Sequence, residues 1–383
     1  MTEITYAKGL EGVIAAESKI CRIDGQNGKL YYRGYSIQDL EAQCSYEEVA
    51  YLLLYGDLPS KSQLEAFSAR MRKSRDLAPE IRDMIRHFPS DSHPMELLQS
   101  VVAYLSGYVQ HRIQHSATCN CRNTLHQVVQ IASVIATYAR IKEGKDYVAP
   151  RADLSHGANF LYMLKGEEPD PVEGEIMDKV LLLHAEHGFN ASTFTSRVVA
   201  STLSTCYCSI SAAMGSLYGS LHGGANEKVM AMVEEIREKS KARDWVNDAL
   251  DRKQRVMGMG HRVYKAKDPR SVIMEGYLQK LSEKHGDHRY YDILKEIEKA
   301  FRERMEKKGA PIYPNVDFFS GAVYLMLGIK PILFTPLFAA GRVAGWLSHI
   351  LEQREDNRLF RPRALYSGIE QRDFVPIEMR VVG

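Results

Sequence analysis

The 383-residue sequence is short of most features that would place it in a specialised class at sight. No apolar run approaches the roughly 20 residues that span a bilayer. The stretch from Phe318 comes nearest, and Lys330 interrupts it. Neither charge is in excess: 50 Lys and Arg against 48 Asp and Glu leave a net charge of +2. That balance excludes a general electrostatic pull toward nucleic acid or anionic membrane, so any anionic ligand needs a local basic cluster. The six cysteines (Cys21, Cys44, Cys119, Cys121, Cys206 and Cys208) are too sparse for a disulfide scaffold. Reduced thiols in a cytoplasmic protein are expected. The opening MTEITYAKGL has no basic region followed by an apolar run, so no secretory signal is expected. Repeats, low-complexity tracts and long linkers are missing as well.

What is present is helical spacing. Ser45, with Glu48 three residues on, forms a capping box for a helix that Gly56 ends, and Ser60 caps another over QLEAFSARMRK. Apolar periodicity predicts further helices over 97–113, 125–141, 176–187, 195–218, 227–239, 290–308 and 336–355. The exception is N-terminal, where 20–23 and 29–33 flank Asp-Gly-Gln-Asn-Gly and predict a short β-hairpin. The expected class is all-α with that one hairpin.

Chemistry concentrates in three irregular segments. In Leu221-His222-Gly223-Gly224-Ala225-Asn226-Glu227, paired glycines allow close approach and the imidazole can donate to a bound carbonyl. Taken alone, it reads equally as an interhelical turn. Gly258-Met259-Gly260-His261-Arg262-Val263-Tyr264-Lys265-Ala266-Lys267-Asp268-Pro269-Arg270 sets a histidine and several cations beside a glycine-rich turn. Arg262 and Lys265 can meet phosphate and Arg270 can pair with a carboxylate, or the loop is merely solvated. Its Gly-x-Gly lacks the parallel-strand context of a dinucleotide fingerprint. In Tyr313-Pro314-Asn315-Val316-Asp317-Phe318-Phe319-Ser320-Gly321, the apolar flanks of Asp317 favour a raised pKa suited to a general base. The plainer role is a cap on the helix that follows. Together, two histidines, one desolvated acid and an arginine suit proton abstraction next to a thioester carbonyl, with one donor on the enolic oxygen and another on an acceptor ketone.

The order LHGGANE, GMGHRVYKAKDPR, YPNVDFFSG resembles the signature segments of the citrate synthase family, which includes 2-methylcitrate synthases. The opening GLEGVIAAESKICRIDGQNGKLYYRGYSIQDL, the internal LSHGANFLYML and HAEHGFNASTF, and the closing DNRLFRPRALYSG and FVPIEMR extend the likeness along the chain. The resemblance implies a citrate synthase-like two-domain helical homodimer. Residues 1–222 and 322–383 would form the large domain and 223–321 a small mobile one. It implies His222 as donor to the thioester oxygen, His261 as donor to the ketone of oxaloacetate, and Asp317 as base. It gives His187, Arg270 and Arg361 as ligands of oxaloacetate or citrate, with Arg380 supplied by the partner subunit. Met257, Gly258, Gly260, Arg262 and Lys265 would contact CoA. Acetyl-CoA and oxaloacetate would be substrates, with no metal or other cofactor. The alternatives are propionyl-CoA as acyl donor, giving 2-methylcitrate, and a CoA-binding member without turnover. Ser220, Gly188 and the pair Lys307 and Lys308 depart from common family residues without removing a catalytic group.

Other features take plainer readings. His111, His115, Cys119 and Cys121 are metal-ligand types, but their Cys-x-Cys is one residue tighter than the usual spacing, so a surface turn is favoured. Cys206 and Cys208 are expected as packed thiols. His184, three residues before His187, is expected to support the site from the same helix face. Acids interspersed through the arginine-rich run 354–372 argue against nucleic-acid binding.

Overall fold

The computed structural model describes residues 7–108 and 125–380. The expected hairpin is there: β1 (Cys21–Asp24) pairs antiparallel with β2 (Lys29–Tyr32), which pairs with the two-residue β3 (Tyr35–Ser36). Everything else regular among the described residues is helical. Local chemistry explains the early boundaries. Ser45 and Glu48 form the capping box of the helix Tyr46–Tyr55, and Gly56 ends it in the left-handed region. Ser60 and Gln63 do the same for Lys61–Lys73.

The core is organised round one long helix, Phe334–Glu355, buried along most of its length. It packs against Tyr46–Tyr55, Leu125–Lys142, Pro171–His184, Ala191–Ser201 and Cys206–Tyr218. A second group, Ala225–Ile236, Lys239–Asp251, Pro269–His285, Arg289–Glu306 and Asp317–Met326, packs largely on itself. The hairpin and the segments between helices sit where the two groups meet.

Several expectations need correction. The helix predicted over 195–218 is two helices, Ala191–Ser201 and Cys206–Tyr218, because Leu203 turns the chain with φ +61°. That over 176–187 begins at Pro171 and stops at His184, so His184 and His187 do not share a helix face. That over 97–113 starts at Pro94 and ends at Leu105. Lys239–Asp251 and Pro269–His285 were not predicted. Asp317 is the first residue of its helix rather than its cap, and its own N–H is received by Asn315 Oδ1 at 2.9 Å. Cys21, Cys44 and Cys208 are free, but Cys206, expected as a thiol, is buried and disulfide-bonded. Spacing along one helix holds no information about a pairing made elsewhere in the chain. His111, His115, Cys119 and Cys121 lie outside the described residues.

Candidate active site

Two short segments lie side by side and set the geometry. Residues 258–260 and 313–315 pair through Gly260 N–H to the Tyr313 carbonyl (2.8 Å), Asn315 N–H to the Gly258 carbonyl (2.9 Å) and a bridge between Met259 and Pro314. Asn315 Nδ2 adds a bond to the Gly260 carbonyl at 2.9 Å. Gly258 must be glycine here: its φ is +76° and a Cβ would stand 2.9 Å from both Phe318 Cα and Phe318 Cδ2. The pairing carries His261 and Asp317 to one place. His187, on the segment after Pro171–His184, approaches from the other side, its ring 5.3 Å from that of His261 and edge-on to it.

These groups line one cavity of about 180 Å³ with His222, Gly223, Gly224, Asn190, Arg270, Phe338 and Arg342. His187, His222, His261, Asp317 and Arg270 are therefore brought together as the sequence suggested.

The histidines are held neutral and their tautomers are set by neighbours. Ser192 meets His222 Nε2 twice, through Oγ at 2.8 Å and through its N–H at 3.2 Å; the N–H can only donate, so Nε2 is taken as the acceptor and the proton placed on Nδ1. Burial, helped by the charge of Arg342, lowers the His222 pKa to about 4. His261 Nδ1 accepts from the N–H groups of Val263 (3.0 Å) and Tyr264 (3.2 Å), so its proton is on Nε2. Burial and Arg270 lower its pKa to about 4 as well. His187 lies well below its ordinary value for the same two reasons, and its Nε2 meets Tyr264 Oη at 3.2 Å. Asp317 moves the opposite way. Desolvation lifts its carboxyl to about 6, against the pull of Arg270 and Arg342.

Two buried guanidiniums face this cavity. Arg270 is clamped by Asp268, Nε to Oδ1 at 3.1 Å and Nη2 to Oδ2 at 2.7 Å, which leaves Nη1 for a ligand. Arg342 was missed in the sequence. Its Nε donates to the His184 carbonyl (2.6 Å) at the end of Pro171–His184, and its guanidinium lies 4.8 Å over the Phe338 ring. Behind it, the fully buried Glu186 accepts from His349 Nε2 (2.9 Å) and supplies countercharge. A lone arginine inside Phe-Ala-Ala-Gly-Arg-Val-Ala-Gly-Trp was the available signal, since an unpaired charge has no place on a wholly apolar face. Asn190 was missed too. Its Oδ1 caps the next helix while its buried Nδ2 has no protein partner.

The remaining expected residues lie elsewhere. Arg361 borders a separate groove of about 1230 Å³ between residues 10–19 and 352–362. Arg380 is exposed, its Nε donating to the Val375 carbonyl at 2.9 Å. Neither reaches the cavity within this chain, because the segment after Phe334–Glu355 runs along the outside. Arg262 and Lys265 are exposed on the loop beyond His261, Arg262 standing 3.7 Å from Glu11. Gly258 is filled by Phe318 packing, and Met257 and Gly260 are partly buried. His184, expected as a support, is buried with its Nε2 against Tyr324 Oη and its ring 4.5 Å from Phe338. His187, His261 and Asp268 cluster closely enough for a cation, but Asp268 is already spent on Arg270.

Comparisons with known proteins agree with this picture. The family described as "Citrate synthase, C-terminal domain" matches residues 9–363. The citrate synthase of Haloferax volcanii is 46% identical over 378 residues, 97% of this chain and 98% of its own. 2-Methylcitrate synthase 1 of Corynebacterium glutamicum is 39% identical over 386 residues, covering 99% and 100%. Among solved structures, the ternary complex of carboxymethyl coenzyme A and oxaloacetate with citrate synthase from Thermoplasma acidophilum superposes with a TM-score of 0.91 at 34% identity, covering 98% of this chain and all of that one.

Proposed function

The chain belongs to the citrate synthase family, and from that premise we propose that it condenses acetyl-CoA with oxaloacetate and hydrolyses citryl-CoA to citrate and CoA. The observation that carries this reading is the set of opposed pKa shifts in one cavity: two imidazoles kept neutral beside one carboxylate kept basic. Asp317 removes a proton from the acetyl methyl while His222 Nδ1–H stabilises the enolic oxygen of the thioester. A neutral donor also keeps Asp317 basic, because a further cation in the cavity would pull its carboxyl pKa down. The enol carbon attacks the ketone carbon of oxaloacetate, and His261 Nε2–H protonates the oxygen that becomes the hydroxyl. Water then cleaves the thioester of citryl-CoA. Arg270 Nη1, Arg342, His187 and Asn190 Nδ2 supply donors for the carboxylates and ketone.

The small domain of residues 223–321 closing on 1–222 and 322–383 would assemble the site and exclude water, since His261, Arg270 and Asp317 belong to one part and His187 and Arg342 to the other. A cytoplasmic homodimer is part of the same reading. The C-terminal segment exposes Leu359, Leu365, Tyr366, Phe374 and Met379, which a second copy would cover, bringing an arginine such as Arg361 or Arg380 to its neighbour's cavity. No described helix is long and apolar enough to cross a membrane.

The test is release of CoA thiol from acetyl-CoA with oxaloacetate, with propionyl-CoA run beside it. A kcat/KM favouring acetyl-CoA is expected; a preference for propionyl-CoA moves the assignment to 2-methylcitrate. No thiol release above that of Asp317→Ala rejects the condensation.

A further inference from the structure

The N-terminal hairpin touches the loop behind His261 through backbone groups. Lys265 N–H donates to the Gly25 carbonyl at 2.8 Å, so the tip of the hairpin is bonded to that loop. The fit leaves no room for side chains on the tip. A Cβ on Gly25 would overlap the Val263 carbonyl oxygen outright and stand 3.2 Å from Val263 Cγ1. A Cβ on Gly28 would come 2.9 Å from the Lys267 carbonyl oxygen. Asp24 shapes the tip by receiving Asn27 N–H (3.1 Å) and Asn27 Nδ2 (2.8 Å). The same hairpin also grips the segment that carries His187. Tyr32 Oη donates to the Glu186 carbonyl at 2.8 Å, and Ile23 Cδ1 lies against Gly188. One small sheet thus holds the two loops whose histidine rings face each other at 5.3 Å.

The peptide unit joining Val263 and Tyr264 is the link to chemistry. Its oxygen meets Gly25, and its N–H is one of the two that donate to His261 Nδ1. A peptide is planar and rigid, so a displacement of its oxygen turns its N–H. The tautomer of His261, and with it the donor that faces the cavity, depends on that orientation.

We propose that Gly25 is a positioning residue for His261, holding the Val263–Tyr264 peptide so that His261 keeps its proton on Nε2 toward the cavity. The proposal rests on the reading of the cavity as a condensation site only for its effect on rate; the tautomer effect stands apart from it.

The experiment compares wild type, Gly25→Ala, Asp24→Ala and Gln26→Ala. Asp24→Ala loosens the tip without adding bulk, and Gln26 is an exposed side chain on the same turn. Nitrogen-15 spectra of labelled histidine, assigned with His261→Gln, report the tautomer, and steady-state kinetics and thermal unfolding are measured on the same samples. For Gly25→Ala the Nδ1 and Nε2 signals of His261 should move toward mixed tautomers, with kcat lower by about 10- to 100-fold, the scale of a displacement near 1 Å. Asp24→Ala should move the same signals by less, and Gln26→Ala should match wild type. A folded Gly25→Ala with the wild-type tautomer signal overturns the proposal. Should Gly25→Ala fail to fold, an unmoved signal in Asp24→Ala overturns it equally. If wild type itself releases no CoA thiol, the condensation reading fails while the tautomer comparison still decides the role of Gly25.

Discussion

Replacing Asp317 by Asn should stabilise the protein while disabling it, and the size of both effects follows from where the carboxyl sits. Its pKa rises from 3.8 to about 6 because burial disfavours the charge more than Arg270 and Arg342 favour it. The folded protein therefore holds this proton more tightly than the unfolded chain does. Below about pH 4 both states carry it and the group is neutral for stability. As pH rises from about 4 to about 6 the unfolded chain ionises first, and the folded state is penalised until, near neutral pH, the cost is about 3 kcal/mol. An amide of the same shape removes that cost. For a chain of this length the unfolding entropy is on the order of 0.8 kcal/mol/K, so Tm should rise by about 4 °C at pH 7.5. The gain should shrink to nothing near pH 4. Loss of a general base should lower kcat by about 10²- to 10⁴-fold. Scanning calorimetry of both proteins from pH 4 to pH 8, beside the thiol-release assay, reads all three. A Tm for Asp317→Asn below wild type at pH 7.5, or a difference that does not depend on pH, would refute the claim that desolvation makes Asp317 a base.

Arg342→Lys keeps the charge but loses the planar fork, so the KM for oxaloacetate should rise about 10- to 100-fold with kcat changed much less; a KM within twofold of wild type in initial-rate measurements would remove Arg342 from the binding set. His156 is fully buried, stacked 5.2 Å from Tyr46, and burial lowers its pKa to about 3. As pH falls below 6.5 the unfolded chain gains a proton that the folded one refuses, which costs about 2 kcal/mol by pH 5. His156→Phe should therefore gain about that much more stability over wild type at pH 5 than at pH 7.5 in urea titrations. Lys267 Nζ bridges Glu275 (2.6 Å) and Glu298 (2.7 Å). Lys267→Met, leaving both acids to Lys295, should cost about 2 kcal/mol in the same titrations, and a cost below about 0.5 would show that the bridge is only a surface pair.

The helices that read most clearly in the sequence are those whose ends are made locally. Ser45 with Glu48 and Gly56 carry both a start and a stop signal, Ser60 with Gln63 a start signal, and both helices form where expected. The helix predicted over 195–218 failed for the opposite reason. The apolar periodicity continues across its break, where Leu203, a residue with no special preference for that region, turns the chain with positive φ and Thr205 caps the second helix through Cys208 N–H. Lys239–Asp251 escaped because its buried side, Ala242, Val246 and Ala249, is narrow and two of its three members are small.

The site divides along the same line. His222, His261 and Asp317 were legible because each stands in a segment broken by Gly, Pro or Asn, where polar groups are freed from the helical repeat. Arg342 and Glu186 stand within or beside apolar helices, and their meaning is entirely tertiary: the carboxylate is supplied 156 residues earlier in the chain than the guanidinium it balances. A buried charge of that kind is stable only when its partner is delivered by a different element, so no local pattern can announce it. What can be read locally is the discord of one charge on a buried face. In Phe334–Glu355 that discord marks Arg342, and the end of Pro171–His184 answers it with the His184 carbonyl and Glu186. The helix that organises the core therefore also delivers the cation proposed to bind substrate, so the packing that stabilises the chain and the shape of the cavity are fixed by the same contact between two helices.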